Sequence, residues 1–110
     1  MNNMERIKLE TKGIQLTDDE LIIYLQENGL EPQSQYQASN PESQKAVYTT
    51  TLSILESLAN NPENYKNIKL DDLSISQFSE NIQKRIYHLT RKIRAMKTES
   101  RNTDTFMLYL

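Results

Sequence analysis

SISQFSENIQKRIYHLTRKIRAMK, residues 74–97, carries the clearest helical pattern in the chain. Ile75, Phe78, Ile82, Ile86, Leu89, Ile93 and Met96 follow one another at steps of 3, 4, 4, 3, 4 and 3 residues. That spacing averages about 3.5, the period of a coiled-coil-like seam on one face of a helix. Ser74 with Gln77 three residues later is a capping box, so the helix has a defined start. From Ile75 to Lys97 it would run about 35 Å at the helical rise per residue. Burying its seven seam side chains is worth about 1.5–3 kcal/mol each, before chain entropy is subtracted.

Upstream, Asn40-Pro41-Glu42 opens another helix: Asn caps, Pro fits the first turn, and Glu favours the dipole. Its apolar face is read as Val47, Thr51, Ile54, Leu55 and Leu58, widened by Tyr48, Leu52 and Ala59. Asn60-Asn61-Pro62 ends it, because proline disfavours helical geometry at the residue before it. Pro62 to Tyr65 is compatible with one further turn, and residues 66–73 link to the last helix with Ile68, Leu70 and Leu73 turned inward. Earlier still, Thr17 and Glu20 form a capping box, Leu16 and Leu21 a hydrophobic staple, and Asp18, Asp19 and Glu20 occupy the positive end of the dipole. Asn28-Gly29 supplies a left-handed stop, and the polar run 30–40 reads as a loop. Residues 1–16, where Ile7 and Leu9 alternate with charged residues before Gly13, read as an irregular or extended arm. The expected fold is therefore all-α: a small three-helix domain over residues 17–97 with a long C-terminal helix, an arm over 1–16 and a tail over 98–110.

A chain of 110 residues is one domain. Only 36% of it is hydrophobic, so the core must be thin and the helices are expected to be completed by neighbouring subunits. The apolar residues are periodic, which argues against disorder. The absence of cysteine excludes disulfides, thiolate nucleophiles and cysteine metal sites. No apolar run approaches the roughly 20 residues that span a bilayer, and the N-terminus lacks a signal-peptide core. The expectation is a soluble protein made in a cytoplasm, with no membrane partner.

Charge is unevenly spread. Residues 1–74 hold six basic and twelve acidic side chains, a balance of −6, whereas residues 75–110 hold seven against three, a balance of +4. Such a dipole attracts either nucleic acid to the basic end or another copy's acidic end.

The candidate binding residues follow from these patterns. Lys84, Arg85, Arg91, Lys92, Arg94 and Lys97 spread over the outer face of the last helix once its seam points inward. Three readings fit them: a solvated face, a contact with acidic surface on a neighbouring subunit, or a phosphate-binding patch. No helix-turn-helix spacing or base-stacking pattern accompanies the last. The terminal Phe106-Met107-Leu108-Tyr109-Leu110 is costly to leave in water and too short for an independent helix. It either folds back on its own helices or docks on a partner as an extended strip, and docking is the favoured reading. His88, the single histidine, reads as a rim residue beside the seam, and Asp71-Asp72 as an acidic turn before a helix. Two glycines, Gly13 and Gly29, cannot build a phosphate cradle, and no nucleophile elbow or paired-carboxylate site is present. No catalytic, metal or cofactor site is expected.

The run SQKAVYTTTLSILESLANNPE (43–63), followed by IKLDDLSISQFSENIQKRIYHLTRKIR (68–94), resembles small structural proteins of tailed-phage head and connector modules. The likeness lies in a helix ending in a turn, an aspartate pair, a hydroxyl–hydrophobic–hydroxyl step and a long helix ending in L-x-R-K-I-R. LTDDEL (16–21) is similar to the acidic capped turn that opens the first helix of head–tail connector proteins. The resemblance covers about half the chain. It implies an all-helical adaptor, located in the virion neck, that forms a homo-oligomeric ring between portal protein and tail or neck proteins, near packaged DNA. It brings no catalytic residues and no cofactor. Two other functions stay open beside it: a small helical regulator binding nucleic acid or a protein through the basic face, and an accessory factor binding one host protein.

Overall fold

The computed structural model describes residues 1–60 and 75–96, and four helices lie within them: α1 (Asn3–Glu10), α2 (Asp18–Glu27), α3 (Pro41–Asn60) and α4 (Ile75–Ala95). No strand occurs among the described residues; one isolated antiparallel bridge joins Asn2 to Gln35. The all-α class holds. The Ser74–Gln77 cap, the Asn61-Pro62 stop, the 66–73 link, Asp71-Asp72, Lys97 and the tail 98–110 lie outside the described residues.

α1 corrects the expected arm. Asn2 is its N-cap: its Oδ1 accepts from the Glu5 backbone N–H at 2.8 Å, and Glu5 Oε1 accepts from the Asn2 N–H at 2.8 Å. That is a capping box with asparagine in the capping place. Asn3 and Met4, the next free donors, give their N–H groups to Ser34 O and Pro32 O at 2.9 and 3.0 Å. A distant loop thus satisfies the exposed end of a short helix. The buried residues Met4, Ile7 and Thr11 sit at helical spacing, while Leu9, the residue that made Ile7 look like part of a strand, is half exposed. A helix of eight residues is marginal in isolation, so tertiary packing decides this segment.

α2 starts and stops as its sequence dictates. The Thr17–Glu20 capping box is formed, with both reciprocal bonds present. At the other end Leu30 N–H reaches Leu25 O at 2.9 Å and Gly29 N–H reaches Gln26 O at 3.0 Å. These two bonds make a Schellman motif around Gly29, whose φ of 79° is left-handed.

α3 is the central element, with α1, α2 and α4 all packed against it. Asn40 caps it, its Oδ1 accepting from Glu42 N–H at 2.9 Å. Val47, Thr51, Ile54, Leu55 and Leu58 are buried as the spacing predicts, and Tyr48, Leu52 and Ala59 flank them half-buried. Thr50 is fully buried too, which apolar periodicity misses. Its hydroxyl donates to Ala46 O at 2.7 Å, and Thr51 to Val47 O at 3.0 Å. With their polar atoms returned to the helix backbone, these threonines pack as β-branched apolar residues. α4 joins α3 through Ile82 and Leu89, both buried, with Phe78 and Ile86 partly covered.

Candidate protein-docking face

The basic residues on α4 have unequal surroundings, and the fold sets the difference. Arg85 reaches across to the C-terminal end of α1. Its Nη2 donates to Glu10 O at 2.6 Å and to Glu10 Oε1 at 3.1 Å. The guanidinium satisfies a last-turn carbonyl and sits at the negative end of the α1 dipole. Glu10 also pairs with Arg6 at 2.8 Å, so one carboxylate holds two cations. Arg6 in turn lies over the rings of Tyr36 and Tyr48, at 5.3 and 5.8 Å from their centroids. Burial works against the charge of Arg6. Its hydrogen bonding and attraction to Glu10 and Tyr36 more than offset that, and its pKa stands above the ordinary value.

Lys92 completes the chain of contacts. Its Nζ lies 4.3 Å from the centroid of Tyr48 and donates to Tyr48 Oη at 3.3 Å. Arg85 and Lys92 therefore tie α4 to α1 and α3, and their first role is internal. Lys84 makes an exposed pair with Glu80 at 3.7 Å, and Arg91 stacks on Tyr87 at 5.6 Å while donating to its hydroxyl at 3.0 Å. Arg94 is exposed. Of the predicted cations within α4, Lys84, Arg91 and Arg94 are the ones held only by their own helix or facing solvent.

Asn81, Lys84, Arg85, His88, Leu89 and Lys92 line a groove of about 450 Å³ along one flank of α4. Its lining is mainly apolar. His88, one of the lining residues, is exposed, its ring edge-on to Tyr87 with centroids 5.6 Å apart. The predicted tail residues Phe106, Met107, Leu108, Tyr109 and Leu110 lie outside the described residues. Sequence reasoning did not find Arg6, Glu10, Tyr36 or Tyr48 as partners of the basic face. Arg6 and Glu10 do stand four apart, a spacing that brings side chains together on a helix. Nothing local pairs either with Arg85.

A second cleft, of about 460 Å³, lies between the start of α1, the 29–40 loop and the first turns of α3. Asn3 is among its lining residues; it is buried, its Nδ2 donates to Glu31 O at 2.9 Å, and its Oδ1 has no hydrogen-bond partner. Among the described residues no group of three or more His, Asp or Glu side chains is placed to hold a metal ion. No described helix is long and apolar enough to cross a membrane.

A sequence profile of a family of unknown function matches residues 1–104. The chain belongs to that family, DUF6706. The DUF6706 match takes in all four helices and every residue of the α4 groove, and it stops short of Phe106. No curated protein sequence matches the chain, and neither does any solved structure.

Proposed function

We propose that this protein is a structural subunit of a virion, a head–tail connector or adaptor that forms a ring between portal and tail. The observation carrying this reading is the state of α4. Of its seam residues Ile82, Ile86, Leu89 and Ile93, Ile82 and Leu89 are buried, and Ile86 and Ile93 are partly covered. The helix therefore keeps a half-covered seam, an exposed Tyr87 and a cationic groove for contacts with other chains. The resemblance of residues 43–63 and 68–94 to connector proteins supplies the particular setting. In this reading three features of the proposed ring subunit act together: the helical body buries its remaining faces against neighbouring subunits, the α4 cations meet a partner, and Phe106–Leu110 reaches the next layer.

The decisive experiment mixes the full chain with a portal-type ring and measures mass by light scattering, with and without the ring. A defined multimer bound to the ring is the expected result. A strict monomer at high concentration that ignores the ring would overturn the proposal. Binding to duplex DNA that weakens steeply with salt, without ring binding, would transfer the basic face to the regulator reading.

A further inference from the structure

We infer that the α4 groove is one half of a contact between two copies of this chain, and that the other half is the acidic first turn of α2. This rests on the subunit reading above and names the surfaces through which copies meet. Two facts of charge lead to it. Residues 1–60 hold four basic and nine acidic side chains, a balance of −5, while residues 75–95 hold five basic and one acidic, a balance of +4. In the fold α2 packs on α1 and α3, whereas α4 packs chiefly on α3. The acidic turn and the basic groove belong to different helices, α2 and α4. Two copies bring them together, whether the operator is a two-fold or a rotation that closes a ring.

The local chemistry fits on both sides. Asp18, Asp19 and Glu20 are all exposed in the first turn of α2, where Glu20 also closes the capping box with Thr17. Asp18 is held only by an exposed pair with Lys8 at 3.1 Å, and Lys84 by its exposed pair with Glu80. Exposed pairs of this kind are worth little and exchange readily for others. Arg85 is already taken by the Glu10 carboxylate and a helix-end carbonyl of the same chain, so Lys84 is the groove cation held only by its own helix. A carboxylate cluster arriving on a helix end meets Lys84, which lines the groove and is exposed, and Arg91, exposed seven residues further along the helix. A nucleic acid would meet the same cations, but the −5 balance of residues 1–60 repels a polyanion and supplies the carboxylates a second copy offers.

The test is a charge swap in the full chain, read by sedimentation equilibrium at low and high salt. Lys84→Glu and Asp19→Lys each alter one exposed side chain, and far-UV circular dichroism with a melting curve checks that each variant is folded. Each single variant is expected to self-associate at least tenfold more weakly than the natural chain, and the double variant to recover most of the loss. Added salt should weaken association of the natural chain. Unchanged association in both single variants overturns the inference while leaving the subunit reading standing, because the copies then meet through another face. A natural chain that binds a portal-type ring yet stays monomeric alone also overturns it and spares the broader reading. Loss of short-duplex DNA binding in Lys84→Glu, with self-association unaltered, assigns the groove to nucleic acid and overturns it too.

Discussion

Glu10 is the residue on which α1 and α4 converge, and its carboxylate serves Arg6 on its own helix and Arg85 on another. Side chains here are partly exposed, 23% for Glu10 and 36% for Arg85, so solvent screens the attraction. A double-mutant cycle with Glu10→Gln and Arg85→Met should return a coupling of about 0.5–1 kcal/mol in urea unfolding. Coupling near zero would mean that the contact adds nothing to stability. Gly29 offers a cleaner test, because nothing lies within 4 Å of the position a Cβ would take. Strain alone separates the variants there. Gly29→Ala should cost about 1 kcal/mol through its left-handed φ, with no cavity or clash to confuse the result. An unchanged unfolding midpoint would show that the α2 stop does not depend on this residue.

Among elements, α1 is the one that tertiary contacts create and α3 the one that everything else requires. Asn2→Ala removes the α1 capping side chain and should lower stability by about 1 kcal/mol. Hydrogen exchange should then show faster opening at α1 than at α3, and uniform loss across the chain would contradict the local account. Leu55 is fully buried on α3, where its loss leaves a cavity. Leu55→Ala should cost about 2–5 kcal/mol, which for a domain of marginal stability is close to unfolding. The α3 helix was legible in sequence because its cap, its proline and its 3-and-4 spacing agree. α1 was not: its cap is asparagine, its length is two turns, and half of its free N–H groups are satisfied by Pro32 and Ser34, far along the chain.

At the scale of the whole molecule, the segregation of charge is the property with consequences. If copies join through opposite charges, raising salt from low to near-molar should reduce the apparent mass at fixed concentration, since the screening length falls to about 3 Å at 1 M. Association that grows with salt would instead point to apolar contacts such as the half-covered α4 seam. Deleting residues 106–110 gives a separate reading of the tail: binding to a portal-type ring should fall while the helical circular dichroism signal stays. Retained binding would remove the tail from the interface.

Local pattern along the chain is enough to make it helical, to start α2 and α3, to end α2, and to mark the apolar face of α3 and α4. Those features are written in neighbours three and four residues apart, and short-range sterics and hydrogen bonds enforce them. Packing between distant segments makes the first residues a helix and occupies Arg85 and Lys92 inside the chain. It also places the groove on one flank of α4. Each of these depends on a partner distant in sequence: Pro32 for α1, Glu10 for Arg85, Tyr48 for Lys92. Periodicity reports which way a side chain points, and it carries no information about what another helix brings to meet it.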